Sequence, residues 1–116
     1  MTKEFKDMKG VIAIATTPFN NENLIDFESV DRLSNYYIES KVSGVTILGV
    51  MGEAHKLNIE EQKTLIKRYV NNLINSVPVI VGVSNAGLDN LELLSKFSMD
   101  SGAVSYTHLT LPTMEL

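Results

Sequence analysis

The stretch Gly44-Val45-Thr46-Ile47-Leu48-Gly49-Val50-Met51-Gly52-Glu53 decides the fold. Its first half, Val45 to Leu48, is apolar and short, and lacks the polar alternation of a half-solvated strand. It reads as a strand buried on both faces, as parallel sheets require. Two other runs have the same character, Val11 to Ala15 and Val79 to Val83. The first valines of the three runs, Val11, Val45 and Val79, are 34 residues apart each time, and each follows a breaker, Gly10, Gly44 or Pro78. That interval is a strand, a helix and two loops, repeated, and it predicts strands near 11–16, 45–49 and 79–83.

Helical periodicity fills the gaps. Phe27, Val30, Leu33 and Tyr37 form one apolar stripe, and Leu65, Ile66, Tyr69, Val70, Leu73 and Ile74 form a second. Leu91, Leu94 and Phe97 form a third, which stops at Ser101-Gly102, where glycine can take a left-handed cap. Helices are predicted near 27–40, 59–75 and 90–100. Asn58 with Glu61, and Asp89 with Glu92, are spaced as capping boxes, and Asp26 is placed to cap the first helix. Strand and helix in alternation imply parallel strands with right-handed crossovers, which leaves either a doubly wound open sheet or a barrel.

The bulk properties narrow the function classes. The chain has 116 residues, 44% of them hydrophobic and 21% charged, which suits a globular protein with a core. A net charge of -4 lacks the basic footprint of a nucleic-acid or anionic-membrane binder, so neither partner is expected. There is no cysteine, so disulfides, thiolate zinc sites and cysteine nucleophiles are excluded, and two histidines do not make a metal site on their own. Met1 to Lys9 is polar and unlike a signal peptide, and no run approaches a membrane span, so a cytoplasmic protein is expected.

From Val104 the pattern breaks where a fourth strand is due. Val104-Ser-Tyr-Thr-His-Leu-Thr-Leu-Pro-Thr113 resembles one reading frame of a sequencing-library transposon adapter, since GTC TCT TAT ACA CAT CTG ACG CTG CCG ACG encodes it without a mismatch. Residues 104–116 are therefore expected to be a non-native tail, and 1–103 the informative domain. Tyr106 and His108 carry no functional weight on this reading, although the segment has real strand propensity.

The second half of the opening stretch carries the chemistry. Gly49 and Gly52 flank a turn in which successive backbone N–H groups can converge on an anion such as a carboxylate. A short Gly-x-x-Gly is by itself also an ordinary tight turn. Its position beyond the carboxyl end of a strand is where α/β folds bind ligands.

Three motifs in order, Thr17-Pro18-Phe19, then Leu48-Gly49-Val50-Met51-Gly52-Glu53 with Leu57 and Glu60-Glu61, then Pro78-Val79-Ile80-Val81-Gly82-Val83, resemble the dihydrodipicolinate synthase and N-acetylneuraminate lyase family. The likeness runs from about Lys9 to Ala103. It implies an α/β chain made of the N-terminal three βα units of a (β/α)8 TIM barrel, cut short, since such a barrel needs roughly 250 residues. It also implies a class I aldolase-type lyase, in which a lysine forms a Schiff base with a 2-oxo acid such as pyruvate and a tyrosine moves protons, with no metal or organic cofactor. The parent is expected to be a homotetramer.

In the family order that tyrosine, on strand five, and that lysine, on strand six, lie beyond residue 103, so no catalytic residue is expected here and the chain should be inactive. The family's carboxylate turn maps onto Gly49, Val50, Met51 and Gly52, which are the expected substrate-binding residues, with Thr17 and Ser84 as further candidates. Most members carry two hydroxyl residues where this chain has Val50 and Met51. Losing a hydrogen bond to a charged group costs about 1.5–3 kcal/mol, or roughly ten- to a hundred-fold in affinity, so a different 2-oxo acid is as reasonable a substrate as pyruvate.

The remaining polar residues near the strand ends read as structural. Glu53 is expected to bond backbone or pair with a lysine, His55 and Lys56 to be solvated, and Asn85 beside Ser84 to be turn chemistry. A nonenzymatic flavodoxin-like domain using the same turn for an anion is the alternative. Uncovered strand side chains, taken as two per strand, would withhold roughly 9–18 kcal/mol of burial, so the chain alone is expected to fold poorly or aggregate.

Overall fold

The structure is a computed structural model that describes residues 9–83 and 87–107. Its elements alternate: strand β1 (Ile12–Ile14), helix α1 (Phe27–Glu39), strand β2 (Gly44–Ile47), a 3-10 turn (Ala54–Lys56), helix α2 (Ile59–Leu73), strand β3 (Val79–Gly82), helix α3 (Leu88–Ser101) and strand β4 (Ser105–Thr107). The four strands pair in parallel in the order β1-β2-β3-β4. A flavodoxin-like sheet would place its first strand between the second and third. Here β2 lies between β1 and β3, so the winding runs one way, as in a barrel wall.

The register separates the two faces. Val45 pairs with Val79 and Ile47 with Val81, and these four side chains, with Ala15, are buried in one core with the helices. Helix α2 lies at the centre of that core because its stripe is the fullest: Leu65, Ile66, Tyr69, Val70 and Leu73 are all sealed from solvent. Helix α1 buries Val30, Ser34 and Tyr37, while Phe27 and Leu33 are only partly covered. Helix α3 buries Leu94 with two serines, Ser95 and Ser98, whose hydroxyls donate to the carbonyls of Leu91 (2.8 Å) and Leu94 (2.6 Å). Both serine hydroxyls are thereby satisfied within the helix.

The helix starts follow the expected chemistry in two cases out of three. Asp26 accepts from the Ser29 N–H, and Asn58 and Glu61 form a complete capping box at 2.8 and 2.9 Å. The third helix instead begins at Leu88 with Gly87 as its cap, so Asp89 lies inside the first turn and the expected Asp89–Glu92 box does not form. An acidic residue in the first turn still favours the helix through its dipole. At the other end Gly102 takes the left-handed cap expected of it, with φ 116°.

Strand ends also differ from expectation. Val11 lies outside β1 and is 68% exposed, because β1–β2 pairing begins only at Ile12 opposite Gly44. At the far end, Ala15 N–H donates to Thr46 O and the chain then leaves the sheet. Strand β2 stops at Ile47, one residue before the end of the apolar run, because Leu48 turns left-handed with φ 57°. A fourth strand does form, with Tyr106 opposite Val81, from residues assigned to the tail.

The opposite face of the sheet carries Ile12, Ile14, Thr46 and Ile80, with Gly44 and Gly82 in the same rows. Only Ile12 (38%) and Ile14 (52%) are substantially open, while Ile80 is 6% exposed. Two side chains per strand is thus an overcount: two of the six positions are glycine and one isoleucine is already covered. About one side chain's worth of burial is missing, or roughly 1.5–3 kcal/mol. Among the described residues no strand pairs with the outer edge of β1 or of β4.

Candidate functional site

The candidate site lies where β2 ends. Gly49, Val50, Met51 and Gly52 form a turn closed by Gly52 N–H donating to Gly49 O at 3.1 Å, and a second turn follows with Glu53 N–H on Val50 O at 3.0 Å. Neither the Val50 nor the Met51 N–H has an acceptor among the described residues. Their side chains stand in solvent, 73% and 58% exposed, while Gly52 is buried. The turn therefore presents two free backbone donors side by side at the carboxyl end of a central strand, an arrangement suited to an anion.

The scaffold under the turn is built from backbone. A Cβ at Gly52 would lie 3.1 Å from Leu48 N and 3.3 Å from Ala15 O, so the turn rests on the exits of β1 and β2 together. Beyond it, Glu53 adopts φ 56° and its carboxylate pairs with Lys56 Nζ at 2.7 Å, the structural use expected of it. His55 is exposed, also as expected. Gln62, 3% exposed, donates from Nε2 to Ala54 O (3.2 Å) and Leu57 O (3.0 Å), holding the 3-10 turn against α2.

Thr17 is 4% exposed and its hydroxyl makes no hydrogen bond among the described residues. The segment before it is held by Tyr69, whose hydroxyl donates to Thr16 O at 3.0 Å. Burial pushes the Tyr69 phenol well above its ordinary pKa, so it stays a neutral donor. Ser84 and Asn85 lie outside the described residues, as does His108. Among the described residues no group of three His, Asp or Glu side chains is placed to hold a metal. No described helix is long and apolar enough to cross a membrane.

Sequence reasoning missed Gln62, Tyr69's hydroxyl and Leu48. Gln62 had a signal: it sits three residues before Leu65 and four before Ile66, squarely on the apolar stripe of α2. A polar residue there has to satisfy its amide inside the protein. The left-handed Leu48 had none, because leucine has no preference for that conformation.

One-way parallel winding of strands and helices is the build of a (β/α)8 barrel wall, the class of fold whose active sites lie at the carboxyl ends of the strands. The comparisons with known proteins make this specific. The Dihydrodipicolinate synthetase family matches residues 7–112, and the chain belongs to that family. It is 34% identical over 102 residues to a 4-hydroxy-tetrahydrodipicolinate synthase of Methanocaldococcus jannaschii, covering 88% of this chain and 35% of that protein. Among solved structures, dihydrodipicolinate synthase from Rhodopseudomonas palustris superposes with TM-score 0.88 at 37% identity, over 97% of this chain and 37% of the other. YagE, a prophage protein of the dihydrodipicolinic acid synthase family from E. coli K12 solved in complex with pyruvate, gives TM-score 0.82 at 25% identity, over 85% and 33%. The chain thus spans about a third of the length of these relatives.

Proposed function

We propose that this chain carries the carboxylate-binding turn of a Schiff-base lyase acting on pyruvate or a related 2-oxo acid. The observation that carries the reading is the pair of N–H groups at Val50 and Met51 that have no acceptor among the described residues, in a turn at the carboxyl end of β2. Membership of the family and the pyruvate complex of YagE support it. In the whole enzyme a lysine amine would attack the C2 carbonyl and expel water to give an iminium. Loss of a C3 proton would then leave an enamine that adds to an aldehyde or imine partner, with a tyrosine moving the protons. The turn's part is to hold the carboxylate so that C2 faces the amine, with Gly49 and Gly52 shaping it and Thr17 and Ser84 adding polar lining.

On the same reading the tyrosine and lysine belong to strands five and six, so the 116-residue chain is inactive. The parent is a cytoplasmic homotetramer that needs neither metal nor organic cofactor, and Val104 to Thr113 come from adapter DNA. The apolar Val50-Met51 pair leaves the carboxylate with backbone donors alone at this turn, which makes a 2-oxo acid other than pyruvate as good a substrate. The test is borohydride trapping with pyruvate and other 2-oxo acids, read by mass. The gene product in which residue 103 runs on through the remaining strands should gain one adduct on one lysine, and the 116-residue chain should gain none. A specific single-lysine adduct on the short chain, or none on the long product with any 2-oxo acid, would overturn the proposal.

A further inference from the structure

Gly82, on β3, touches the candidate site without belonging to it. Its backbone lies outside the left-handed region, since Gly10 and Gly102 are the described glycines with positive φ, so its conformation suits any residue. What it lacks is space. A Cβ at Gly82 would lie 2.4 Å from Leu48 O, 2.9 Å from Leu48 C and 3.2 Å from Gly49 N, where real Cβ atoms essentially never come within 3.0 Å. All three neighbours are backbone, so no flexible side chain can swing aside. The peptide they form is the one between Leu48 and Gly49, directly before the Val50 N–H.

Leu48 explains why the approach is so close. It is buried, 2% exposed, and bends left-handed at φ 57°, an arrangement that is strained for a residue with a side chain and persists only where its surroundings enforce it. The bend carries Leu48 O toward β3 instead of along the ladder, into the volume a side chain at position 82 would fill. Gly52 closes the other side, where a Cβ would press on Leu48 N and Cα at 3.1 and 3.2 Å. The Leu48 peptide is therefore clamped between two glycines, one on the neighbouring strand and one across the turn.

We propose that Gly82 is a positioning residue of the carboxylate turn: by leaving room for Leu48 O, it sets where the Val50 and Met51 N–H groups point. This rests on the reading of that turn as a carboxylate site. A side chain at position 82 must push the Leu48–Gly49 peptide outward by more than half an ångström, which misaligns the donors while leaving the helix-side core in place.

The experiment follows selectively 15N-labelled backbone amides of the gene product in which residue 103 runs on through the remaining strands, by 15N–1H correlation as pyruvate is added, with sodium chloride as the ionic control. In the wild type the Val50 and Met51 amides shift saturably with pyruvate. In Gly82→Ala their affinity for pyruvate falls at least about tenfold, the effect of misaligning hydrogen bonds to a charged group. Amides of the core, such as Val30 and Leu65, keep their wild-type positions, which a general loss of structure would not allow. If Gly82→Ala loses its dispersed spectrum, Gly52→Ala carries the test: its milder contacts predict a severalfold loss, and wild-type affinity there overturns the inference. Wild-type affinity in a folded Gly82→Ala overturns the inference alone. Absence of any pyruvate shift in the wild type overturns the carboxylate reading and the inference with it.

Discussion

Replacing Ile14 by Ala and, separately, Ile47 by Ala probes the two faces of the sheet with one chemical change. Ile14 is 52% exposed on the face without helices, so about half of the 1.5–3 kcal/mol that burying an isoleucine contributes is present to be lost. The expected cost is about 0.7–1.5 kcal/mol. Ile47 is 0% exposed in the helix-side core, and its truncation leaves a cavity as well, so the cost rises to about 2–5 kcal/mol. Both sites are in neighbouring strands and both lose the same β-branch, so strand propensity cancels in the comparison. The assay is a urea melt followed by circular dichroism, at concentrations where sedimentation shows a monomer. Where the alanine variant has no folded baseline, Ile47→Val is compared with Ile14→Val, at about 0.5–1.5 kcal/mol against about half of that. Equal costs at Ile14 and Ile47 would refute the reasoning, because they would mean that the open face is covered in solution, by another copy or by a different packing of the chain.

Two further perturbations test the supports of the site. Gln62→Leu keeps the apolar stripe but leaves Leu57 O without its side-chain donor and Ala54 O with the Leu57 N–H alone. It should cost about 1–3 kcal/mol in the same melt and speed hydrogen exchange at Lys56 and Leu57, in the 3-10 turn and its cap, before α2 itself. Asp31 receives Arg68 in a bidentate pair at 2.7 and 2.8 Å, with Asn72 beside it, and these bonds lower its pKa from 3.8 to about 2. A carboxylate depressed in the folded state stabilises above its unfolded pKa, and that contribution disappears as pH falls from about 4 to about 2. Asp31→Asn should flatten the acid limb of stability in that window, and because the pair is exposed the change will be small and will shrink further in salt. An acid limb identical to wild type would contradict the assigned bond.

How much was legible in the sequence depended on whether a residue's role was local. The 34-residue interval located β1, β2 and β3, because buried parallel strands are short apolar runs and their breakers are Gly10, Gly44 and Pro78. The Asn58–Glu61 box was readable because a capping box closes within four residues. The same logic misplaced the start of α3, since a spacing of three between Asp89 and Glu92 recurs inside helices and Gly87 could cap in their place. Ends of β1 and β2 were set by pairing partners and by the bend at Leu48, neither of which a single run contains. In the candidate site, the glycine turn was legible from its position after a strand. What holds it was not: Gly82 matters through Leu48 O, Gln62 through Ala54 O and Leu57 O, and Tyr69 through Thr16 O, all contacts between separate elements.

The most direct test of the account is to amplify the locus from independent source DNA and sequence it across the codons of Ala103 to Leu116. The frame should depart from the adapter string near Val104 and run on through five more strands, with a tyrosine on the fifth strand of the barrel and a lysine on the sixth. A native stop codon directly after Leu116, with Val104 to Thr113 encoded in the genome, would contradict it.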